Sequence, residues 1–295
     1  MAVGTLAGWL QIDGLLREWL LEDLGRGDRA TLAVTRGVKA QFWGEAVWVA
    51  KAAGVVAGLP IAGRVFRLLD DRVVWSAAVE EGEVCQAGQV IARLSGPLEA
   101  MLSGERVALN LVMRLSGIAT LTRRYVDQLE GLGTRLADTR KTIPGLRILE
   151  KYAAQVGGAV NHRMGLDDSV MLKDNHLAVA GGVAVAVARA RALSPYPLTI
   201  EVEAESLAQV QDAIAAEVDI VMLDNMPLDL MREAVRLIRS QAPQMKIEAS
   251  GNVTLETVRA VAETGVDYVS TSAPMTQSRW LDISMRIAST SSAPL

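Results

Sequence analysis

Apolar and polar positions change rhythm between the first third of the chain and the rest. Leu15–Leu24 has the spacing of a short amphipathic helix and gives way to a Gly-broken loop, Gly25-Arg26-Gly27-Asp28. From Phe42 to Arg93 the runs Ala46–Ala50, Val73–Ala77 and Val90–Arg93 are rich in Val, Ile and Trp and separated by Gly, Asp and Pro. This predicts strands with hairpin or sandwich connections. Glu105–Leu121 predicts one helix, because Val107, Leu111, Leu115 and Ile118 fall near one face.

From about residue 134 the pattern becomes strand, loop, helix, repeated. Six candidate strands are Arg135–Asp138, Val170–Lys173, Leu198–Val202, Ile220–Leu223, Lys246–Ala249 and Tyr268–Ser270. Helical text lies between them at Ser206–Ala216, Leu228–Ser240 and Thr254–Thr264, with Ser206 and Thr254 as N-terminal capping signals. Short apolar strands alternating with helices of this length imply a parallel sheet. Almost every strand ends in a reactive side chain: Thr139-Arg140-Lys141, Lys173, Glu203, Asp224, Ser250 and Ser272. A parallel β/α barrel gathers such ends at one mouth, and their recurrence outweighs the reading of each as a loop start. Six strands fall short of the usual eight, so the barrel is expected to be incomplete, with a seventh strand sought at Gly158–Asn161. The predicted fold class is therefore α/β: an N-terminal α/β sandwich domain over residues 1–117 and an incomplete parallel β/α barrel over 118–295. The last helix is expected to return to the N-terminal domain, and Ser289–Leu295 reads as a frayed tail.

Composition removes several classes of function. Thirty basic against 34 acidic side chains give a net charge of −4, which argues against a nucleic-acid coat or a polybasic membrane module. Six Trp, four Tyr and two Phe are too few for a base-stacking platform. The lone Cys85 cannot form an intrachain disulfide, and it has no basic neighbour in sequence to activate a thiolate. Two histidines, His162 and His176, exclude a multi-histidine metal cage. The first cationic residue is Arg17, so no basic secretory start is expected, and no uncharged apolar run reaches membrane-spanning length. The expectation is a cytoplasmic protein without membrane or nucleic-acid partners.

What remains is a dense charged centre. Arg140, Lys141, Arg163 and Lys173 are four permanent cations close to the ends of apolar runs, suited to a compact polyanion. A merely solvated charged face is the competing reading, weakened because Lys173 directly follows Val170-Met171-Leu172. Glu203 and Asp224 are hard carboxylates that fit Mg²⁺, sugar hydroxyls or ion pairs with the neighbouring cations; Glu201 shares the face of Glu203. Ser250-Gly251-Asn252 and Thr271-Ser272-Ala273 close the last two strands with small residues and free amides, as phosphate-binding turns do. His162 sits beside Arg163, which disfavours its protonation and favours a neutral hydrogen-bonding role over a cationic one; a structural role stays open. His176 is the weaker candidate of the two.

At these residues the sequence resembles the quinolinate phosphoribosyltransferases. The similarity is carried by Leu21–Asp28, Glu105–Asn110, Arg114–Thr120, Asp138–Leu146, Asn161–Leu166, Lys173–His176, Glu201–Glu203 and Met222–Asn225, within residues 15–288. The resemblance implies transfer of phosphoribosyl from phosphoribosyl pyrophosphate (PRPP) to quinolinate with Mg²⁺. The products would be nicotinate mononucleotide, pyrophosphate and CO₂, in NAD biosynthesis. It also implies a homodimer, with larger assemblies open, in which Arg106 reaches the partner's site. Arg106, Arg140, His162, Arg163 and Lys173 would hold the quinolinate carboxylates, and Thr139 and Lys141 would lie between the substrates. Glu203 and Asp224 would take the ribose hydroxyls and the metal, making them and Lys141 the catalytic set. Ser250, Gly251, Asn252, Thr271, Ser272 and Ala273 would take the 5′-phosphate. Ser272 stands where many relatives have Gly, though its hydroxyl can also donate to phosphate.

Two other readings compete. One is a paralogue, related to a group associated with molybdenum transport, acting on a different anion. The other is a non-catalytic anion carrier, suggested by the biotinyl-like turn Glu81–Gln89, which lacks a modifiable lysine.

Overall fold

The computed structural model describes residues 6–35 and 42–292. They form two compact units: the first takes 6–35, 42–121, 144–157 and 278–292, the second 122–143 and 158–277. The chain therefore leaves and re-enters the first unit, where the sequence predicted two consecutive blocks.

The first unit begins with α1 (Leu6–Leu24) and α2 (Arg29–Thr35), then β1 (Phe42–Ala50), β2 (Gly54–Val55), α3 (Leu59–Leu69), β3 (Val74–Ala77), β4 (Val84–Cys85) and β5 (Val90–Pro97). The long α4 (Leu98–Gln128) follows. It starts seven residues before the predicted helix because Gly104 does not break it: a side chain at that position would crowd Phe66 and Leu69, so glycine lets α4 approach α3 closely. Trp48, Phe66 and Trp75 form an aromatic core, with the Trp48 and Trp75 rings 5.0 Å apart and edge-on.

The closing element is β12 (Ile283–Ser292), a strand where the last helix was expected. It pairs antiparallel with β1 from Ile283 opposite Ala50 to Ser292 opposite Phe42, in a sheet ordered β12-β1-β5-β3. Ile283-Ser284-Met285-Arg286-Ile287 alternates apolar and polar with the period of a strand, and β1 offers it a long unpaired edge. The predicted tail is thus paired backbone as far as Ser292; its last three residues, 293–295, lie outside the described residues.

The second unit is built on β6 (Arg135–Ala137), β7 (Val170–Leu172), β8 (Ile200–Ala204), β9 (Ile220–Asp224), β10 (Lys246–Ser250) and β11 (Tyr268–Ser270). They form one parallel sheet, ordered β6-β11-β10-β9-β8-β7. The intervening helices are α6 (Asp174–Ala180), α7 (Val183–Leu193), α8 (Leu207–Ala215), α9 (Leu228–Gln241), α10 (Val258–Ala262) and α11 (Ala273–Gln277); α5 (Arg147–Val156) belongs to the first unit. All six predicted strands are present. The seventh reduces to a single bridge, Ala137 with Val160. It ends there because Asn161 and His162 turn their polar groups to Asp138 instead of extending the ladder. The result is an incomplete parallel β/α barrel beside an α/β sandwich domain in the chain. Among the described residues no single helix is long and apolar enough to cross a membrane.

Candidate active site

Parallel pairing sets the strand ends of the second unit side by side. In register, Ser250 of β10 stands opposite Asp224 of β9, and Glu203 of β8 opposite Met222. The ends surround a pocket of about 150 Å³, a volume that holds a benzene-sized ring, lined by charged residues including Arg140, Lys141, Arg163, Lys173 and Glu203. Thr139, His162 and Ser250 also line it. Of the remaining predicted residues, Asp224, Gly251, Asn252, Thr271, Ser272 and Ala273 lie at neighbouring strand ends without lining this pocket. Arg106 is on α4 of the first unit, exposed, in a depression shared with Glu22 and Asp23.

The cations are unequally partnered. Lys173 is ion-paired to Glu203 Oε1, so one of the alternatives left open for that carboxylate is realised. Arg163 donates to the Ser169 carbonyl at 3.0 Å and meets Met171 Sδ. Burial, then the adjacent Arg140 charge, pull the Arg163 guanidinium below its ordinary value. Among the described residues, Arg140 and Lys141 have no carboxylate partner. Two arginines held close enough to repel one another, beside an unmatched lysine, make a space that favours an anion.

Glu203 is in the opposite condition. Burial pushes its carboxyl above the ordinary range; Lys173 opposes this, while Asp224 and Glu201 add to it. Glu203 and Asp224 thus sense each other's charge across neighbouring strands. Their oxygen-only donors and mutual repulsion suit a hard cation or a pair of sugar hydroxyls.

Beneath His162 lies a second acidic pair. Its Nε2 is 3.3 Å from Glu201 Oε2 and 3.5 Å from Glu248 Oε2. Its Nδ1 accepts the Arg163 backbone N–H at 2.7 Å, so Nε2 carries the ring proton and points it at the carboxylates. The backbone N–H of His162 is held at 2.8 Å by Asp138, which is buried and also accepts from Asn161 Nδ2. The sequence set His162 beside the cation Arg163, but its charged neighbours at Nε2 are these two carboxylates. Glu201 and Glu248 are almost fully buried, and each leaves Oε1 without a hydrogen bond. Burial and then the Glu201 charge raise the Glu248 carboxyl to about 7. The donor atoms of His162, Glu201 and Glu248 lie within 4.8 Å of one another, close enough to share a cation.

Glu248 was missed from sequence, although a signal existed. It sits two residues before Ser250 on β10, hence on the same strand face as a predicted pocket residue. His176 lies outside the pocket, where Nδ1 accepts the Lys173 backbone N–H at 3.0 Å and secures the start of α6. Thr271 donates its hydroxyl to the Val253 carbonyl and its N–H to the Ala137 carbonyl, and its hydroxyl accepts from the Ala273 N–H, so the free amides expected at Thr271 and Ala273 are occupied while Ser272 is partly exposed. Cys85 is buried in the first unit, and burial raises its thiol, consistent with packing.

Known proteins converge on this arrangement. Residues 28–116 match the N-terminal domain of quinolinate phosphoribosyl transferase, and residues 118–286 match its C-terminal domain. A probable carboxylating nicotinate-nucleotide pyrophosphorylase of Synechocystis is 55% identical, covering 96% of this chain and 94% of its own. A probable enzyme of the same name from Bacillus subtilis is 43% identical, with 94% of each chain covered. The crystal structure of NadC from Streptococcus pyogenes superposes with a TM-score of 0.90 at 40% identity, covering 97% of this chain and 98% of that one. By both domains, by identity and by fold, the chain belongs to the quinolinate phosphoribosyltransferase family.

Proposed function

We propose that the chain joins quinolinate to PRPP and releases pyrophosphate and CO₂, forming nicotinate mononucleotide for NAD biosynthesis. The observation that carries this reading is the pairing of unmatched Arg140 and Lys141 with two mutually repelling carboxylates at one mouth. The cations suit a dicarboxylate and a pyrophosphate; the carboxylates suit a ribose on which positive charge develops.

Arg140, Arg163 and Lys173 hold the quinolinate carboxylates, with Arg106 supplied by the partner of a homodimer; His162, both ring nitrogens engaged, shapes the pocket wall. Lys141 and Thr139 lie toward the PRPP pyrophosphate. Ser250, Gly251, Asn252 and Ser272 form the 5′-phosphate end, while Thr271 and Ala273, whose amides are bonded to Ala137 and to the Thr271 hydroxyl, hold the second turn in shape. The pyridine nitrogen attacks the ribose anomeric carbon, and the bond to pyrophosphate breaks as charge on the sugar is stabilised by Glu203 and Asp224. Ribosylation leaves the ring nitrogen cationic, so the ring accepts the electron pair released when the adjacent carboxylate departs as CO₂. A proton then replaces it at carbon. No strong general base is required, and most of the rate gain comes from positioning and charge placement.

Glu203 and Asp224 would hold Mg²⁺, and their oxygen donors and mutual repulsion fit it. The ion would supply charge neutralisation for the pyrophosphate. A single free cysteine supports a reducing, cytoplasmic setting.

The direct test is incubation of the purified protein with quinolinate, PRPP and Mg²⁺. Equal release of CO₂ and pyrophosphate is expected; absence of both from folded protein would refute the reading. For the shared site, Arg106→Ala and Lys141→Ala homodimers should each be nearly inactive, and subunit exchange between them should restore activity. No recovery under exchanging conditions would place Arg106 outside the partner's chemistry.

A further inference from the structure

The loops after β9 and β10 meet in an arrangement that none of the roles above uses. Asp224 ends β9, and the next residue, Asn225, has φ +51°, a left-handed conformation that asparagine and glycine adopt more readily than other residues. Its backbone N–H donates to the Ser250 carbonyl at 3.0 Å. Its side-chain amide is used at both ends: Nδ2 donates to Asp224 Oδ2 at 2.8 Å, and Oδ1 accepts from Asn252 Nδ2 at 3.2 Å. Only this orientation of the amide satisfies both neighbours, because a flipped amide would set its oxygen against the carboxylate. The opposing loop is shaped to receive it. Gly251 has φ +100° and Asn252 φ +49°, and a side chain on Gly251 would overlap the Asn225 amide.

We infer that Asn225 is a positioning residue that fastens the Asp224 carboxylate to the Ser250-Gly251-Asn252 loop, so that the groups holding the PRPP ribose and its 5′-phosphate are fixed relative to one another. The inference rests on the proposed roles of Asp224 and that loop. PRPP carries its hydroxyls on the ribose ring and its 5′-phosphate one exocyclic carbon away, a short span that is bound well only when both sets of groups have the right separation. Quinolinate contacts neither set. The consequence is a selective effect on one substrate.

The variants exploit the backbone conformation. Asn225→Gly keeps the left-handed geometry and removes the amide alone. Asn225→Asp keeps an acceptor toward Asn252 but puts a carboxylate oxygen against Asp224. KM is measured for each substrate with the other saturating, alongside thermal unfolding, with Asp224→Ala as reference. Asn225→Gly is expected to raise KM for PRPP roughly ten-fold, the scale of a lost hydrogen bond to a charged group, and to leave KM for quinolinate within about two-fold. Asn225→Asp should raise it further without a matching loss of thermal stability. Equal increases for both substrates, or changes that follow the melting temperature, would overturn the inference. If Asp224→Ala raises KM for PRPP while Asn225→Gly does not, the inference alone fails. If Asp224→Ala has no effect, the assignment of Asp224 fails and the inference with it.

Discussion

In the first unit, several guanidiniums, buried or exposed, are met by carboxylates. Arg114 on α4 reaches Glu150 on α5 at 2.7 Å, Arg72 reaches Asp70 at 2.6 Å, and Arg64 is clasped by Asp13. At the mouth of the second unit the same side-chain type is left without such a partner. Arg140 faces Arg163, and Arg163 finds a carbonyl and a thioether where Arg114 finds a carboxylate. An arginine matched within its own chain holds structure together; one left unmatched among other cations is stored for an anion from outside. Neither net charge nor the number of arginines distinguishes these cases, but partnership does.

The contrast can be broken most severely at Arg140. Arg140→Ala should leave the melting transition near that of the parent while kcat/KM falls roughly 10³-fold, about 4 kcal/mol of lost binding to a charged group. A fall in stability instead of activity would make Arg140 a structural residue. Arg114→Ala should do the reverse. Glu150 is fully buried, and removing its partner should cost about 3 kcal/mol in denaturant unfolding, with KM for both substrates little changed in the protein that remains folded. The smallest effect is expected at Glu248. A carboxyl raised in the folded state from 4.5 to about 7 binds more protons folded than unfolded across that window. Its contribution is therefore fully present at acid pH and declines as pH rises toward 7. Glu248→Gln should flatten that decline, measured as the slope of unfolding free energy against pH across this window. An unchanged slope would mean that Glu248 ionises normally.

The second unit was more legible in sequence than the first. Its strands are short apolar runs ending in polar residues, and its helices show one-sided apolar spacing, so local pattern and tertiary role agree in Ile220–Asp224 or Leu228–Gln241. The first unit depends on partners distant in sequence. Nothing local marks Ser103-Gly104 as helix interior, since its glycine is explained by Phe66 and Leu69 on α3. Nothing local marks Ile283–Ser292 as a strand strongly enough to override a Ser-rich end, since its partner is β1. Within the site, the residues that end strands were found, and of the two carboxylates one step deeper Glu201 was found and Glu248 was not. Glu248 resembles any charged residue alternating along a strand until His162 is known to stand over it. Asn225 belongs to the Met222–Asn225 motif, but its bond from Asn252 depends on a loop 27 residues later.

The pairing of β12 with β1 also bears on how the protein is made. The second unit lies wholly between segments of the first, and the first unit's sheet gains its edge strand only from residues translated after the whole second unit. On a ribosome the barrel strands can all have emerged while β1 still lacks its neighbour on one side. β1, made before the barrel, is therefore completed only after it, and until then it carries a nine-residue open edge of the kind that invites pairing with another nascent chain.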